Sequence, residues 1–184
     1  MTTSDEKRIN GLDTSAFINT IGEIKKNPEL AQCQFRLRNQ WVSCDDNRSE
    51  AHGFYAAGAE RKHKNVFKFQ AGEPELLAGK DEGANPVEFL LSALSGCMTT
   101  TIAYYAALNG EKIEKMESTY EGDLNLQGLL GLAENVRPGY QKIRVNFKIN
   151  TSAPREHFEK YYHFSPVYDV VSKSVPVDVK IETY

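Results

Sequence analysis

The stretch from Asn85 to Gly110 constrains this chain more than any other. Asn85 has the side chain of a helix cap, Pro86 suits the first helical position, and Glu88 stands three residues after the cap, where a capping box places its acid. From Pro86 to Leu108 only Gly96 interrupts the pattern, and Asn109-Gly110 supplies the exit. Phe89, Leu90, Leu91, Ala93, Leu94, Cys97, Ile102, Ala103, Ala106 and Leu108 make the helix apolar on most of its circumference. A helix of this kind needs cover on several sides, so the spacing predicts a long central helix inside the protein. One sheet covers one side, and a second subunit is expected to cover another.

The flanking segments supply the sheet. Ile143, Val145, Phe147 and Ile149 alternate with Lys142, Arg144, Asn146 and Lys148, the period-two mark of a strand with one wet face. Ile113–Leu124 and Val175–Tyr184 read as strands, and Cys33–Ser43 reads as another, regular as far as Leu37. Cys44-Asp-Asp-Asn-Arg48 has turn chemistry. Strands are expected at Ala51–Ala57 and Val66–Gln70, with the basic stretch Arg61–Lys64 as a solvated hairpin end between them. Near the N-terminus, Phe17, Ile18, Ile21 and Ile24 recur at helical spacing behind Asp13-Thr14, and Asn27-Pro28 stops them. Residues 1–11 are polar and read as a mobile end. Ser152-Ala-Pro154 opens a later helix that Pro166 restarts. Between Gly122 and Gly139 lies a long connection rich in leucine, a surface that seeks a partner. Runs of strands followed by single helices predict an α+β fold.

Charge narrows the function. Twenty-five acidic against 22 basic residues give a net charge of −3, which offers no footprint for nucleic acid or an anionic membrane. No apolar run is expected to reach bilayer length, and no signal peptide is read at Met1–Arg8, so a cytoplasmic protein is expected. Cys33, Cys44 and Cys97 show no metal-ligand spacing, and the four histidines form no ligand pair, so neither a metal nor a cofactor is expected.

Cys97 is the candidate nucleophile. Free cysteine often serves as a small hydrophobe, and a thiol becomes a nucleophile only as thiolate. Burial opposes that charge, and Cys97 lies too far into its helix for the N-terminal dipole to help. A guanidinium has to compensate, each unit of pKa depression being worth about 1.4 kcal/mol. At 100° per residue, Leu90, Ala93, Leu94, Thr100, Thr101 and Tyr104 share the Cys97 face and are the expected lining of a largely apolar pocket. Glu88 falls on the opposite face and is read as a cap.

The segment Asn85-Pro-Val-Glu-Phe-Leu-Leu-Ser-Ala-Leu-Ser-Gly-Cys97 resembles the cysteine-helix signature of the OsmC/Ohr family of osmotically induced and organic-hydroperoxide-resistance proteins. Trp41 with Asn47-Arg48, Gly53-Phe-Tyr55, Glu121-Gly-Asp-Leu, Gly128–Leu132, Gly139–Ile143 and Ser165–Val170 extend the likeness in order. The resemblance covers residues 33–184 as one domain and leaves 1–32 as an N-terminal tail and short helix. It implies a curved antiparallel sheet wrapped around the central helix, in an intertwined homodimer with active sites at the subunit interface. It also implies a peroxidatic cysteine, matched by Cys97, and an arginine that stabilises its thiolate, matched by Arg48. The family's second, resolving cysteine falls on Ser165, and the acid that holds the arginine falls on Val87. The implied activity is reduction of an organic hydroperoxide by one cysteine, with an external thiol as reductant and no cofactor. Cys33 or Cys44 would be the only internal substitutes for the second thiol. The alternative is a dimer that binds a small apolar molecule or acyl group while Cys97 only packs.

Overall fold

A computed structural model describes residues 8–184. The chain divides into two compact units. Among the described residues, one comprises 8–14 and Leu90–Tyr184; the other is Ser15–Phe89.

In the first unit β1 (Arg8–Ile9) and β2 (Leu12–Asp13) form a small antiparallel hairpin. Asn10 and Gly11 both have positive φ, +52° and +79°, the conformation of the tight two-residue turn that Asn-Gly favours. The first seven residues of the expected mobile end lie outside the described residues. Its remainder is ordered, because the Asn10 amide bonds backbone groups about a hundred positions away.

The core of this unit is a three-stranded sheet of β7 (Ile113–Asp123), β8 (Lys142–Thr151) and β9 (Val177–Thr183). β7 and β8 pair antiparallel, whereas β9 joins β8 in parallel. Parallel pairing requires a crossover, supplied by α4 (Arg155–Tyr161) and α5 (Pro166–Ser172), so the sheet is mixed rather than wholly antiparallel. The alternation in β8 holds: Ile143, Phe147 and Ile149 have no exposed surface, Val145 almost none, and the intervening polar side chains lie on the other face. In the connection before β8, α3 (Leu126–Leu129) is a single turn, and Leu129, Leu130 and Leu132 stand exposed.

In the second unit α1 (Thr14–Lys26) is the short helix that the periodicity predicts, with Phe17, Ile21 and Ile24 half-buried and Ile18 exposed. β5 (Asp46–Ala56) is the central strand of a four-stranded antiparallel sheet. Along one edge it pairs with β3 (Gln34–Phe35) and then β4 (Arg38–Ser43), and along the other with β6 (Ala59–Ala71). The single strand expected over Cys33–Ser43 is thus interrupted at Arg36-Leu37. The turn after β4 is tighter than its sequence suggests: Cys44 takes φ +46°, its carbonyl accepts from Trp41 Nε1 at 3.0 Å, and Asp46 is already in β5. The basic stretch Arg61–Lys64 is not a hairpin end. The chain reverses at Ala57-Gly58, and those residues run into a bulge where Ala51 pairs with Phe67 but Gly53 with Lys62. His63 packs there between Phe54, tilted to it, and Phe67, edge-on to it, both with ring centres at 5.0 Å, and a Cβ on Gly53 would meet the Arg61 carbonyl at 2.4 Å.

α2 (Pro86–Leu108) begins and ends as its sequence predicts. Val87 N–H donates to Asn85 Oδ1 and Asn85 N–H donates to Glu88 Oε2, both at 3.0 Å, closing the capping box. Within the chain its cover is one-sided. Leu94, Met98, Ile102, Ala106 and Ala107 are buried, while Leu90, Ala93, Gly96, Thr100 and Tyr104 are exposed. α2 is also the one helix among the described residues long and apolar enough to cross a membrane by length and composition, which corrects the expectation that no apolar run approaches that length.

Candidate active site

Cys97 sits midway along α2, three residues past buried Leu94 and one before buried Met98, yet it is only half-buried itself. The helical repeat accounts for this. Leu94, Met98, Ile102 and Ala106 follow one another at four-residue steps and form the packed stripe, and Cys97 lies to one side of it. Of the residues expected to share its face, Leu90 and Tyr104 are 40% and 39% exposed, Ala93 and Thr100 are open, and Thr101 is half-buried. Leu94 departs from the set; fully enclosed, it belongs to the packed stripe. The open face is small, hydroxylated and apolar, chemistry that accepts an organic group. Gly96 has nothing within 4 Å of the position a Cβ would take.

Toward the C-terminal end of the same helix, Tyr105 stacks on Phe164, with ring centres 4.4 Å apart and 12° between planes. Phe164 precedes Ser165, the residue that the resemblance matches to a second cysteine. Ser165 is completely buried, and its hydroxyl accepts from Tyr168 N–H at 3.2 Å, capping α5. The serine that the resemblance matches to a resolving cysteine thus serves as a helix cap.

Arg48 lies on β5 in the second unit. Its guanidinium grips Asp46 as a fork, Nη2 donating to Oδ2 at 2.9 Å and Nε to Oδ1 at 3.3 Å. These bonds and the Asp46 charge raise the arginine above its ordinary pKa, with a smaller contribution from Glu82. Asp46 also accepts from Gln70 Nε2 at 3.4 Å. The arginine borders a groove of about 830 Å3 formed with Arg38, Gln40, Glu50, Lys68 and Gln70. The carboxylate that holds Arg48 is thus Asp46, whereas the resemblance expects the acid at the position of Val87. The sequence hides this pair because Cys44–Arg48 has the composition of a turn, whereas Asp46 and Arg48, two apart on a strand, share a face.

The other candidates are placed plainly. Cys33 and Cys44 are free and exposed in the second unit. His52 pairs with Glu50 at 2.9 Å, His157 with Glu111, and His163 stacks on Tyr162. Among the described residues no three His, Cys, Asp or Glu side chains converge as metal ligands.

Residues 79–180 match the sequence model described as OsmC-like protein. A comparison with curated proteins finds no match. Solved structures of similar fold include an OsmC-like protein of Mycoplasma pneumoniae, at 12% identity and a TM-score of 0.60, over 82% of this chain and 96% of that one. An organic hydroperoxide resistance protein of Elizabethkingia anophelis aligns at 14% identity and a TM-score of 0.59, over 82% and 97% of the two chains. An OsmC-like protein of unknown function from Vibrio cholerae gives 14% identity and a TM-score of 0.56, over 82% and 99%. These superpositions establish a shared α+β fold, and the sequence model spans more than half of the chain; the protein is a member of the OsmC-like family.

Proposed function

We propose that the protein reduces organic hydroperoxides through Cys97 as its single peroxidatic thiol, working as a cytoplasmic homodimer with residues 33–184 as its OsmC-like domain. The observation that carries this reading is the placement of Cys97 on the open, small-residue face of α2 rather than in its packed stripe. Family membership supports it, and so does the naming of the Elizabethkingia anophelis relative for organic hydroperoxide resistance.

The thiolate sulfur attacks one oxygen of the peroxide bond, the O–O bond breaks, and the alkoxide leaves and takes up a proton as alcohol. Cysteine sulfenic acid remains, the sulfur being oxidised by two electrons and the peroxide reduced by two. Arg48, oriented by Asp46, is the cation for the thiolate. With Ser165 at the second position, an external thiol attacks the sulfenic sulfur and releases water. A second external thiol then releases Cys97 and departs as a disulfide. The bare face of α2 and the exposed leucines 129, 130 and 132 are the surfaces that a second subunit would cover.

Treatment with an organic hydroperoxide should give a sulfenic acid on Cys97, trapped by a dimedone-type reagent and lost in Cys97→Ser. An unmodified Cys97 under excess peroxide refutes the activity. A second reading, a dimer that holds a small apolar molecule or acyl group beside an inert Cys97, is favoured by the buried cap at Ser165. Under it, Cys97→Ala leaves the affinity for an apolar fluorescent probe unchanged.

A further inference from the structure

The charge of the chain is gathered unevenly on the four-stranded sheet. Along β5, Arg48, Glu50 and His52 occupy alternate positions and share one face. Gln40 and Gln70 stand opposite Arg48 on the neighbouring strands, and Arg38 and Lys68 stand opposite Glu50. These side chains border the groove of about 830 Å3 beside Arg48. A second groove, of about 560 Å3, continues it toward the bulge; it shares Arg38 and Glu50 and adds Arg36, Arg61, Lys62 and Lys64. Together they make a trough that follows β5 from Arg48 to Gly53, roughly 17 Å at the rise of a strand. Every one of these residues lies in the second unit.

Seven cations border the trough. Against them stand Glu50 and Glu60 in its walls, with Asp46 and Glu82 beside Arg48. The local balance is +3 in a chain whose net charge is −3. The carboxylates in the walls are already engaged, Glu50 by His52 at 2.9 Å and by Lys68 at 3.4 Å, and Glu60 by Arg36. Among the described residues Arg38, Lys62 and Lys64 have no carboxylate partner. Cations gathered in this way repel one another, and an anion placed among them relieves that repulsion.

The lining narrows the kind of anion. Trp41 and Phe67 hold alternate positions on β4 and β6 and lie on the other face of the sheet, and the Phe69 ring packs edge-on with Phe89. Nucleic-acid bases therefore find no aromatic platform on which to stack. The surface outside the trough is acidic overall, which opposes a polyanion long enough to run past its ends. A short acidic peptide meets neither obstacle. About five extended residues span the trough, and carboxylates on every second residue keep step with alternate positions of β5. Guanidinium forks such as that of Arg38 match a carboxylate in shape as well as charge.

We infer that the trough is a docking site for a short, extended acidic segment of a partner protein, its carboxylates paired with Arg38, Lys62 and Lys64. The site is independent of the chemistry at Cys97.

The test is the fluorescence anisotropy of a labelled hexaglutamate peptide titrated with the full chain at low salt. Binding should fall away as salt is raised. Arg38→Glu and Lys62→Glu, both at exposed positions, should keep the parental circular dichroism and each weaken binding about three- to tenfold. Lys160→Glu makes the same change of charge on α4 in the first unit and should weaken binding by about twofold at most. Absence of binding, parental binding in both trough variants, or an equal loss in Lys160→Glu overturns the inference. Tighter binding of a labelled hexathymidylate also overturns it and assigns the trough to nucleic acid.

Discussion

Asn10 and Ile113 meet across 103 positions of sequence: the Asn10 amide oxygen accepts Ile113 N–H at 2.9 Å, just where β7 begins. The Asn10 nitrogen donates to Glu111 O at 3.0 Å and Ala103 O at 3.3 Å, so one side chain bonds backbone groups on α2, on β7 and in the link between them. Asn10→Ala should lower stability by about 2 kcal/mol, from lost bonds and from alanine in a positive-φ position. Asn10→Gly, which loses the bonds but accepts the backbone, should cost less. Thermal unfolding checks both, and an unchanged midpoint in Asn10→Ala would show that the hairpin contributes nothing.

Ser165→Ala removes the cap of α5 inside the core. The Tyr168 N–H then loses its acceptor in a part-buried position. A loss of about 1–2 kcal/mol is expected in denaturant unfolding.

Gly96 offers a cleaner probe of assembly than any core residue. Because open space surrounds its missing Cβ, Gly96→Leu should leave the subunit folded, with unchanged circular dichroism. If the bare face of α2 is where two subunits meet, the parent will measure at twice 20.7 kDa by light scattering and the variant will shift toward the single-chain mass. A variant that stays dimeric removes that face from the interface.

Two phenols should dominate alkaline behaviour. Burial first, and then the hydrogen bond to Glu111, pushes Tyr161 up to about 12; burial first, and then Tyr168, does the same for Tyr162. The folded values lie above the ordinary 10.0, so the stability linked to these groups is complete below pH 10 and disappears as pH rises toward 12. Ultraviolet titration should show them ionising after the ordinary tyrosines. Glu111→Gln should bring Tyr161 down, and an unaltered titration would discount the Glu111 contact.

What could be read without coordinates was local chemistry. Asn85, Pro86 and Glu88 announce the start of α2 because a capping box is written within four residues. The strict alternation at Ile143–Ile149 fixes the buried face of β8 because a strand has period two. What escaped was set by distant partners. The Asn10-Gly11 turn is visible, but strands of two residues carry no period, and the hairpin is ordered by bonds to α2 and β7. Arg61–Lys64 looks like a solvated loop because its pairing depends on the bulge beside Gly53. The fork between Asp46 and Arg48 was lost once those residues were read as a turn. The exposure of the Cys97 face was hidden for another reason: hydropathy reports which side chains prefer cover, not which molecule provides it.

The parallel pairing of β9 with β8 has a consequence for biosynthesis. β8 receives its second neighbour from Val177–Thr183, a strand that leaves the ribosome only after β8 and the crossover helices. Until that strand docks, one edge of β8 is unpaired, and a nascent chain carries an adhesive border. Quality-control proteases and chaperones should therefore discriminate sharply between chains in which β9 has docked on β8 and chains in which it has not.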